Sequence, residues 1–205
     1  MRVKDEEQIA SRRALIMRAA REIMETQGME ALSIRKIAAM IQQTPGIIYH
    51  YFSGKEELML AVVQEGYQHI LCIIQQTMAS EKSPAAQLRA TLFGYVRGML
   101  EDPLLYQVVM QSKLPSVQKQ TAILQENLRQ NRKSIAMLCT CLEEGIACGE
   151  FSVEQVELRA QGIWCCVYGL LERILIEQPV PAYRDKVIEE VLDLIMASLR
   201  PHETA

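Results

Sequence analysis

Residues 33–58, SIRKIAAMIQQTPGIIYHYFSGKEEL, contain the pattern that decides the fold. Four apolar residues there follow the spacing of one buried helical face, namely Ile34, Ile37, Ala38 and Ile41. Thr44 and Pro45 then start a second helix, because a hydroxyl suits the N-cap and a proline suits the first helical position. Gln42 and Gln43 lie between the two segments. The stretch therefore predicts two short helices joined by a tight turn.

The second of these helices divides its side chains between two faces. Ile48, Tyr51 and Phe52 form an inward stripe, and small or polar residues remain on the opposite face. Gly46 lies on that opposite face and has no side chain, so the helix backbone can come close to the floor of a groove. Ser53 and Glu56 then fit an S-x-x-E capping box that begins a third helix. A short helix with such an exposed face is typical of an element that enters the major groove of DNA.

The same residues resemble the N-terminal domain of the TetR family of transcriptional repressors. The matching motifs are Ser33-Ile34-Arg35-x-Ile37-Ala38 and Thr44-x-Gly46-x-Ile48-Tyr49-x-Tyr51-Phe52-x-x-Lys55-Glu56-x-Leu58. The resemblance is specific over about residues 9–69. Where the family usually has Ala-Gly-Val-Ser, this chain has Ile41-Gln42-Gln43-Thr44. A left-handed backbone position in the turn then costs a non-glycine residue about 1 kcal/mol.

The resemblance implies which residues contact DNA. They are Ser33, Arg35, Thr44, Pro45, Gly46, Ile47, Tyr49, His50 and Lys55. Four of them are expected to fix the protein on phosphates, namely Ser33, Thr44, Tyr49 and Lys55. Gly46, Ile47 and His50 are expected nearest to the base edges.

The charge of the chain is unevenly distributed. The whole sequence has a net charge of −3, which is unusual for a protein that binds nucleic acid. Between Ser11 and Lys55, however, seven basic residues stand against three acidic ones, a local charge of +4. Because attraction to phosphates acts over a Debye length of roughly 10 Å, the local charge decides. The N-terminal segment is therefore expected to face the DNA.

Beyond residue 58 the sequence predicts helices only. The predicted segments are about 58–77, 84–101, 103–111, 115–148, 152–178 and 183–199. A first helix with the apolar stripe Ile9, Ile16, Ala19, Ala20 and Ile23 ends near Gly28. With it and the two helices of residues 33–52, this gives an all-α chain of about nine helices. We expect residues 1–55 to form a helix-turn-helix DNA-binding domain, with its motif at about 33–52. Residues 56–205 are then expected to form a larger helical domain for effector binding and dimerisation.

An effector pocket between about residues 84 and 178 is implied by the resemblance. Its candidate lining residues are Tyr95, Met99, Tyr106, Met110, Met137, Cys141, Trp164 and Tyr168. Methionine adapts to irregular apolar ligands, and tryptophan or tyrosine adds a polar group. The alternative is that these residues are ordinary core. We expect a small apolar or aromatic ligand.

The last two helices are expected to form a dimer interface. Residues 162–171 are apolar nearly all round, which a domain of this size does not readily bury alone. In TetR-like proteins the corresponding helices pair in a four-helix bundle, and the resemblance implies the same here. The expected interface residues are Val167, Leu170, Leu171, Val187, Val191, Leu194 and Ile195. Intramolecular core is the alternative. A homodimer would read a palindrome in double-stranded DNA.

Composition predicts a cytoplasmic protein without membrane association. The sequence has no apolar run of about 18 residues and no hydrophobic leader. Its six cysteines are expected to be reduced and mostly buried. No phosphate loop, nucleophile elbow or paired-carboxylate motif is present, so we expect neither an enzyme nor a bound cofactor or metal.

Two alternatives remain open at this point. One is a redox- or metal-sensing regulator on the same scaffold, suggested by Cys139-x-Cys141, Cys148 and Cys165-Cys166. Adjacent residues, or residues two apart, point in different directions on a helix, which disfavours joint metal binding. The other is a helical ligand-binding module that has lost DNA binding, suggested by the altered turn at Gln42-Gln43.

Overall fold

A computed structural model describes residues 2–111, 113 and 115–201. These residues form eleven α-helices, one short 3-10 helix (Met29–Ala31) and no strand, which confirms the predicted all-α class. The α-helices are α1 (Arg2–Gln27), α2 (Ile34–Met40), α3 (Pro45–Tyr49), α4 (Lys55–Ser80), α5 (Pro84–Glu101), α6 (Pro103–Gln111), α7 (Pro115–Thr121), α8 (Leu128–Asn131), α9 (Lys133–Ala147), α10 (Val156–Glu177) and α11 (Pro181–Ala197). In this part of the chain, every helix is too short or too polar to cross a membrane.

The helix predicted at about 115–148 is wrong, because three shorter helices, α7, α8 and α9, occupy this range. Asn127 precedes α8 with a φ of 56°, a left-handed conformation that a continuous helix does not contain. Arg132 separates α8 from α9 in an extended conformation, with φ of −129° and ψ of 108°. Residues 125–134 contain only one apolar side chain, Leu128, so the polar run at the two breaks was a sequence signal that the prediction did not use.

The N-terminal unit consists of Met1–Gln68 and Leu104–Thr121. Its most deeply buried side chains include Ile16, Ile23, Ile37, Ile48 and Phe52. Within this unit α4 and α6 lie very close at Gly66, where an added Cβ would be 2.6 Å from Cδ1 of Leu105. A segment far along the chain therefore completes the core around the first part of α4.

The C-terminal unit consists of His69–Pro103 and Ala122–Ala205. Within it α5 packs against α9, α10 and α11, and α10 packs against α9 and α11. Arg89 on α5 binds the carboxylates of Glu189 and Asp193 on α11, with N–O distances of 2.5 and 2.9 Å. The predicted functional domains, 1–55 and 56–205, have other bounds than these compact units, and they stay a prediction.

Candidate functional site

The turn between α2 and α3 contains a left-handed residue although no glycine is present. Gln42 has a φ of 54°. The backbone N–H groups of Gln42 and Gln43 donate to the carbonyl oxygens of Ala39 and Ala38, at 3.2 and 2.8 Å. The two-helix geometry therefore forms with glutamine where the family usually has glycine, at a local cost of roughly 1–2 kcal/mol.

Helix α3 has five residues and depends on its buried side for its position. An isolated helix of this length is unstable in water, because nucleation costs more than so few hydrogen bonds return. Of the predicted inward stripe, Ile48 and Phe52 are 0% and 1% exposed, while Tyr51 is only half-buried. The expected capping bond from Thr44 is wrong: Thr44 occupies the N-cap, but its hydroxyl forms no capping hydrogen bond.

Arg13 of α1 holds the end of α3. Its guanidinium donates a hydrogen bond to the carbonyl oxygen of Tyr51, a group that helix termination otherwise leaves without a helical partner. The same guanidinium lies 4.2 Å from the centroid of the Phe52 ring, in cation–π geometry. Sequence reasoning missed this residue, because nothing in the pattern distinguishes Arg13 from the neighbouring Arg12.

The start of α4 is capped by Glu57 and not by Glu56. The carboxylate of Glu57 accepts the backbone N–H of Ser53 at 2.6 Å. This hydrogen bond is the main reason why the pKa of Glu57 is lowered, and the charge of Arg13 contributes a smaller part. The predicted capping box was displaced by one residue because α4 begins at Lys55, and Glu56 instead accepts a hydrogen bond from the Ser116 hydroxyl.

The predicted DNA-contact residues all belong to the N-terminal unit, and most are solvent-exposed. Exposed are Arg35, Thr44, Pro45, Gly46, Tyr49 and His50, and half-buried are Ser33, Ile47 and Lys55. The aromatic ring of Tyr49 is left largely in solvent, with 57% of the residue exposed. Ser33 caps α2 by accepting the Lys36 N–H at 3.3 Å, and its own O–H is still able to donate to a phosphate.

Packing within the unit does not require a glycine at position 46. A Cβ added to Gly46 would have Thr44 Oγ1 as its nearest neighbour, at 3.9 Å, which is ordinary van der Waals contact. The backbone of α3 is therefore open on the side where the sequence predicts DNA. If glycine is required at position 46, the requirement must come from contacts with atoms outside the N-terminal unit.

Helix α10 of the C-terminal unit has an exposed stretch without charge, although the groove that it borders with α11 is also lined by Glu154 and Arg159. From Ala160 to Leu171, α10 has no charged residue. Its exposed positions in that stretch are small residues, Gly162, Cys165, Cys166 and Gly169. Together α10 and α11 border a groove of about 890 Å³, into which Leu194 of α11 extends with 61% of the residue exposed. Small residues on one helix permit the backbone of another to approach closely.

The predicted interface residues divide between this face and the core. Val167, Leu170, Leu171 and Ile195 are buried within the C-terminal unit, Val187 and Val191 are half-buried, and Leu194 is exposed. Sequence reasoning missed the glycines and cysteines of α10, because the apolar run hid which side faced out. The assignment of an interface stays a prediction.

A small cavity lies in the C-terminal unit, among the second part of α4 and helices α5, α9 and α10. Its free volume is about 10 Å³, which is enough for about one water molecule. Of the eight predicted pocket residues, Met137, Cys141 and Trp164 line this cavity. Tyr95 and Tyr168 contact the Trp164 ring, with centroid distances of 4.5 and 5.8 Å.

The other three predicted pocket residues lie elsewhere. Met99 is buried in α5, while Tyr106 and Met110 belong to the N-terminal unit, buried and 40% exposed respectively. Thr91 and Met78, which do line the cavity, were missed. In the sequence, each of these two residues lies about one helical turn from another lining residue of its own helix. That spacing is equally typical of ordinary core, so it did not identify them.

The expectation of mostly buried cysteines is wrong. Only Cys139 and Cys141 are buried, whereas Cys72, Cys148, Cys165 and Cys166 are exposed, because each lies on an outward side of its helix or at its end. Burial raises the pKa of the Cys139 thiol and raises that of Cys141 to about 11. Both buried thiols are therefore poor nucleophiles at neutral pH. Within the described residues, no three metal-ligating side chains come together.

Comparison with known proteins places the N-terminal unit among bacterial regulators. Residues 16–62 match the family model of bacterial regulatory proteins of the tetR family. The HTH-type transcriptional repressor AcnR of Corynebacterium diphtheriae is 32% identical over 65 residues, 32% of this chain and 34% of AcnR. The HTH-type transcriptional regulator UidR of Escherichia coli K12 is 34% identical over 59 residues, 29% of this chain and 30% of UidR. The chain thus spans about a third of the length of these relatives.

Similarity of fold extends over nearly the whole chain. A bacterial regulatory protein of the tetR family from Rhodococcus RHA1 is similar with a TM-score of 0.69 and 20% identity. The alignment covers 93% of this chain and 98% of that one. At this level of identity the likeness establishes the fold: an N-terminal helix-turn-helix domain followed by a helical C-terminal domain.

Replacing Gln42 by glycine is expected to raise the free energy of unfolding by about 1 kcal/mol, because glycine adopts a left-handed conformation without steric cost. Gln43→Gly is the matched control. Gln43 does not have a positive φ, so glycine there should lower the free energy of unfolding by about 0.5–1 kcal/mol. Urea denaturation of both variants measures the free energy of unfolding. An equal decrease in both variants would contradict the left-handed conformation of Gln42.

Proposed function

Because the chain belongs to the TetR family of bacterial regulatory proteins, we propose that it is a homodimeric DNA-binding repressor. A small apolar or aromatic ligand would release it from a palindromic operator. The observation that carries the proposal is the exposed face of α3, which is rigidly backed by Ile48, Phe52 and Arg13. The formed turn at Gln42 also speaks against the alternative of a module that has lost DNA binding.

In this proposal, contacts to phosphates position α3 and contacts to bases give specificity. Ser33, Tyr49 and Lys55 lie at helix ends or on exposed faces, where hydroxyl and ammonium groups reach phosphate oxygens. Arg35 adds an exposed positive charge from α2. His50 offers two ring nitrogens that hydrogen-bond to base edges. The +4 charge of residues 11–55 draws this face to the DNA backbone.

A homodimer would arise from the uncharged stretch of α10 (residues 160–171) together with Leu194 of α11. A two-fold interface places the same surface of each protomer against itself, so this stretch of α10 brings no like charges together. The small residues of α10 allow close helix packing, and Leu194 offers an apolar anchor. Two α3 helices related by the two-fold axis would enter successive major grooves, about 34–36 Å apart.

Release by a ligand requires that the ligand prefer one conformation of the dimer. A ligand shifts an equilibrium only by the difference between its affinities for the two states. Helix α4 is continuous from Lys55 to Ser80, and Ile74 and Met78 of this helix line the cavity. Ligand binding would thus favour one position of α4 and thereby one spacing of the two α3 helices.

A regulator of this kind acts on DNA in the cytoplasm, and we propose that this protein is located there. We also propose that it has no catalytic activity. Redox sensing by Cys139 or Cys141 is a weaker alternative, because burial keeps both thiols protonated at neutral pH.

Gly46→Ala tests the α3 face. The new methyl group meets no protein atom closer than 3.9 Å, so the free energy of unfolding should stay the same or rise slightly. Affinity for operator DNA should fall by roughly tenfold, a loss comparable to that of one specific contact. Gly54→Ala, where an added Cβ also meets nothing within 4 Å, is the matched control and should leave affinity unchanged. Unchanged DNA affinity of Gly46→Ala would argue against this face.

Leu194→Glu tests the dimer. In a two-fold interface the substitution buries two unpaired charges, so dissociation into monomers should become roughly a hundredfold easier. Ile9→Glu introduces the same charge at an apolar residue of α1 that is 51% exposed, and it should leave the dimer intact. Sedimentation at micromolar concentration distinguishes the two variants. A Leu194→Glu protein that remains dimeric would place the interface elsewhere.

A further inference from the structure

We propose that the cavity of the C-terminal unit binds an uncharged ligand through a hydrogen-bond acceptor, such as a carbonyl or ether oxygen, held by Trp164 and Thr91. This inference rests on the proposed function, because the ligand would be the effector that controls DNA binding. It restricts the proposed ligands from small apolar or aromatic molecules in general to neutral molecules that contain an acceptor oxygen.

Two buried donors at the cavity support the proposal. The indole N–H of Trp164 and the hydroxyl of Thr91 are buried, and neither has a hydrogen-bond partner among the described residues. Both residues line the cavity, and Trp164 is only 3% exposed. An indole N–H donates and never accepts. A buried donor without an acceptor destabilises the protein, and an oxygen atom of a ligand would relieve that cost.

The indole is also held in a fixed orientation. Its ring stacks on Tyr168, at an interplanar angle of 25°. It meets Tyr95 edge-on, at an interplanar angle of 69°. Side chains that are fixed before binding lose little entropy when the ligand arrives. The position of the N–H therefore favours one placement of the ligand oxygen.

The walls exclude a charged ligand. The described lining consists of aliphatic, methionine, hydroxyl, thiol and indole side chains, and none carries a charge at neutral pH. Cys141 is the only lining residue able to ionise in the ordinary range, and burial raises its pKa to about 11. A carboxylate or ammonium group would lose its hydration here without gaining a counter-charge. A neutral oxygen loses far less hydration free energy than a charged group when it enters this cavity.

The cavity must widen to admit such a ligand. About 10 Å³ is enough for about one water molecule. Met78 and Met137 line the cavity and are half-buried, so they have space to move toward solvent. The unbranched methionine side chain changes shape at low cost, which allows a ring-sized molecule to enter. The same side chains can close behind it.

Fluorescence of the full-length protein tests the ligand chemistry directly, because Trp164 is the sole tryptophan of the sequence. We would titrate the protein with cyclohexanone, cyclohexylammonium and cyclohexanecarboxylate, which share a ring and differ in charge. Cyclohexanone should give a saturable change in emission, and the two ions should give none. Equal or stronger binding of either ion, or no response to cyclohexanone, would overturn the proposal.

Thr91→Val tests the hydrogen bond with two effects of opposite sign. Loss of the hydroxyl should weaken cyclohexanone binding by about fivefold. The ligand-free protein should become more stable, with a thermal midpoint about 2–4 °C higher, because an unpaired buried hydroxyl is removed. Thr140→Val is the matched control: Thr140 is exposed on α9 and its hydroxyl donates to the Ala136 carbonyl at 3.0 Å. Unchanged cyclohexanone affinity in Thr91→Val would overturn the assigned donor.

Operator binding measured on the same preparation separates this inference from the proposed function. If cyclohexanone binds as expected but operator affinity does not change, the ligand chemistry stands and effector control fails. If the protein binds no operator at all, the regulator proposal fails while the fluorescence result still decides the cavity. If only charged analogues bind and release DNA, the regulator proposal stands and the present inference is wrong.

Discussion

Helix α3 has five residues and therefore too few hydrogen bonds to maintain its own shape, so its position depends on the side chains packed behind it. Ile48 and Phe52 are buried against the other helices of the N-terminal unit. Arg13 joins them by covering the Phe52 ring and donating to the Tyr51 carbonyl. These contacts fix the angle of α3 and leave its polar side in solvent. In the proposed function, the dimer face and the ligand cavity would influence DNA binding only because this angle is fixed.

The departure of the turn from the family pattern has a local energetic cost. Gln42 takes the left-handed conformation that glycine would take at lower cost. Burial of a single large apolar side chain contributes about 1.5–3 kcal/mol, which exceeds the penalty. The turn is therefore held by the core on both sides of it. A sequence can lose the usual turn residue and keep the geometry when the flanking helices are anchored this well.

How far the sequence predicted the structure depended on whether the signal was local. Apolar spacing and capping found the all-α class, the buried side of α3 and the exposed side that carries Tyr49 and His50. Contacts between distant segments had no such signal. The Arg13–Phe52 pair, for example, joins α1 to the end of α3. The breaks at Asn127 and Arg132 lie in a polar run whose only apolar residue is Leu128, and the prediction passed over that signal. For the cavity, the pattern identified Trp164 but could not separate lining residues from core.

Selection of bound DNA from a random pool by the purified protein tests the central claim most directly. If two α3 helices read DNA about a two-fold axis, the enriched sequences should be palindromes. Their half-sites should be centred about 10–10.5 base pairs apart or a multiple of that spacing. Enrichment of sequences without two-fold symmetry, or no enrichment above the starting pool, would contradict the account.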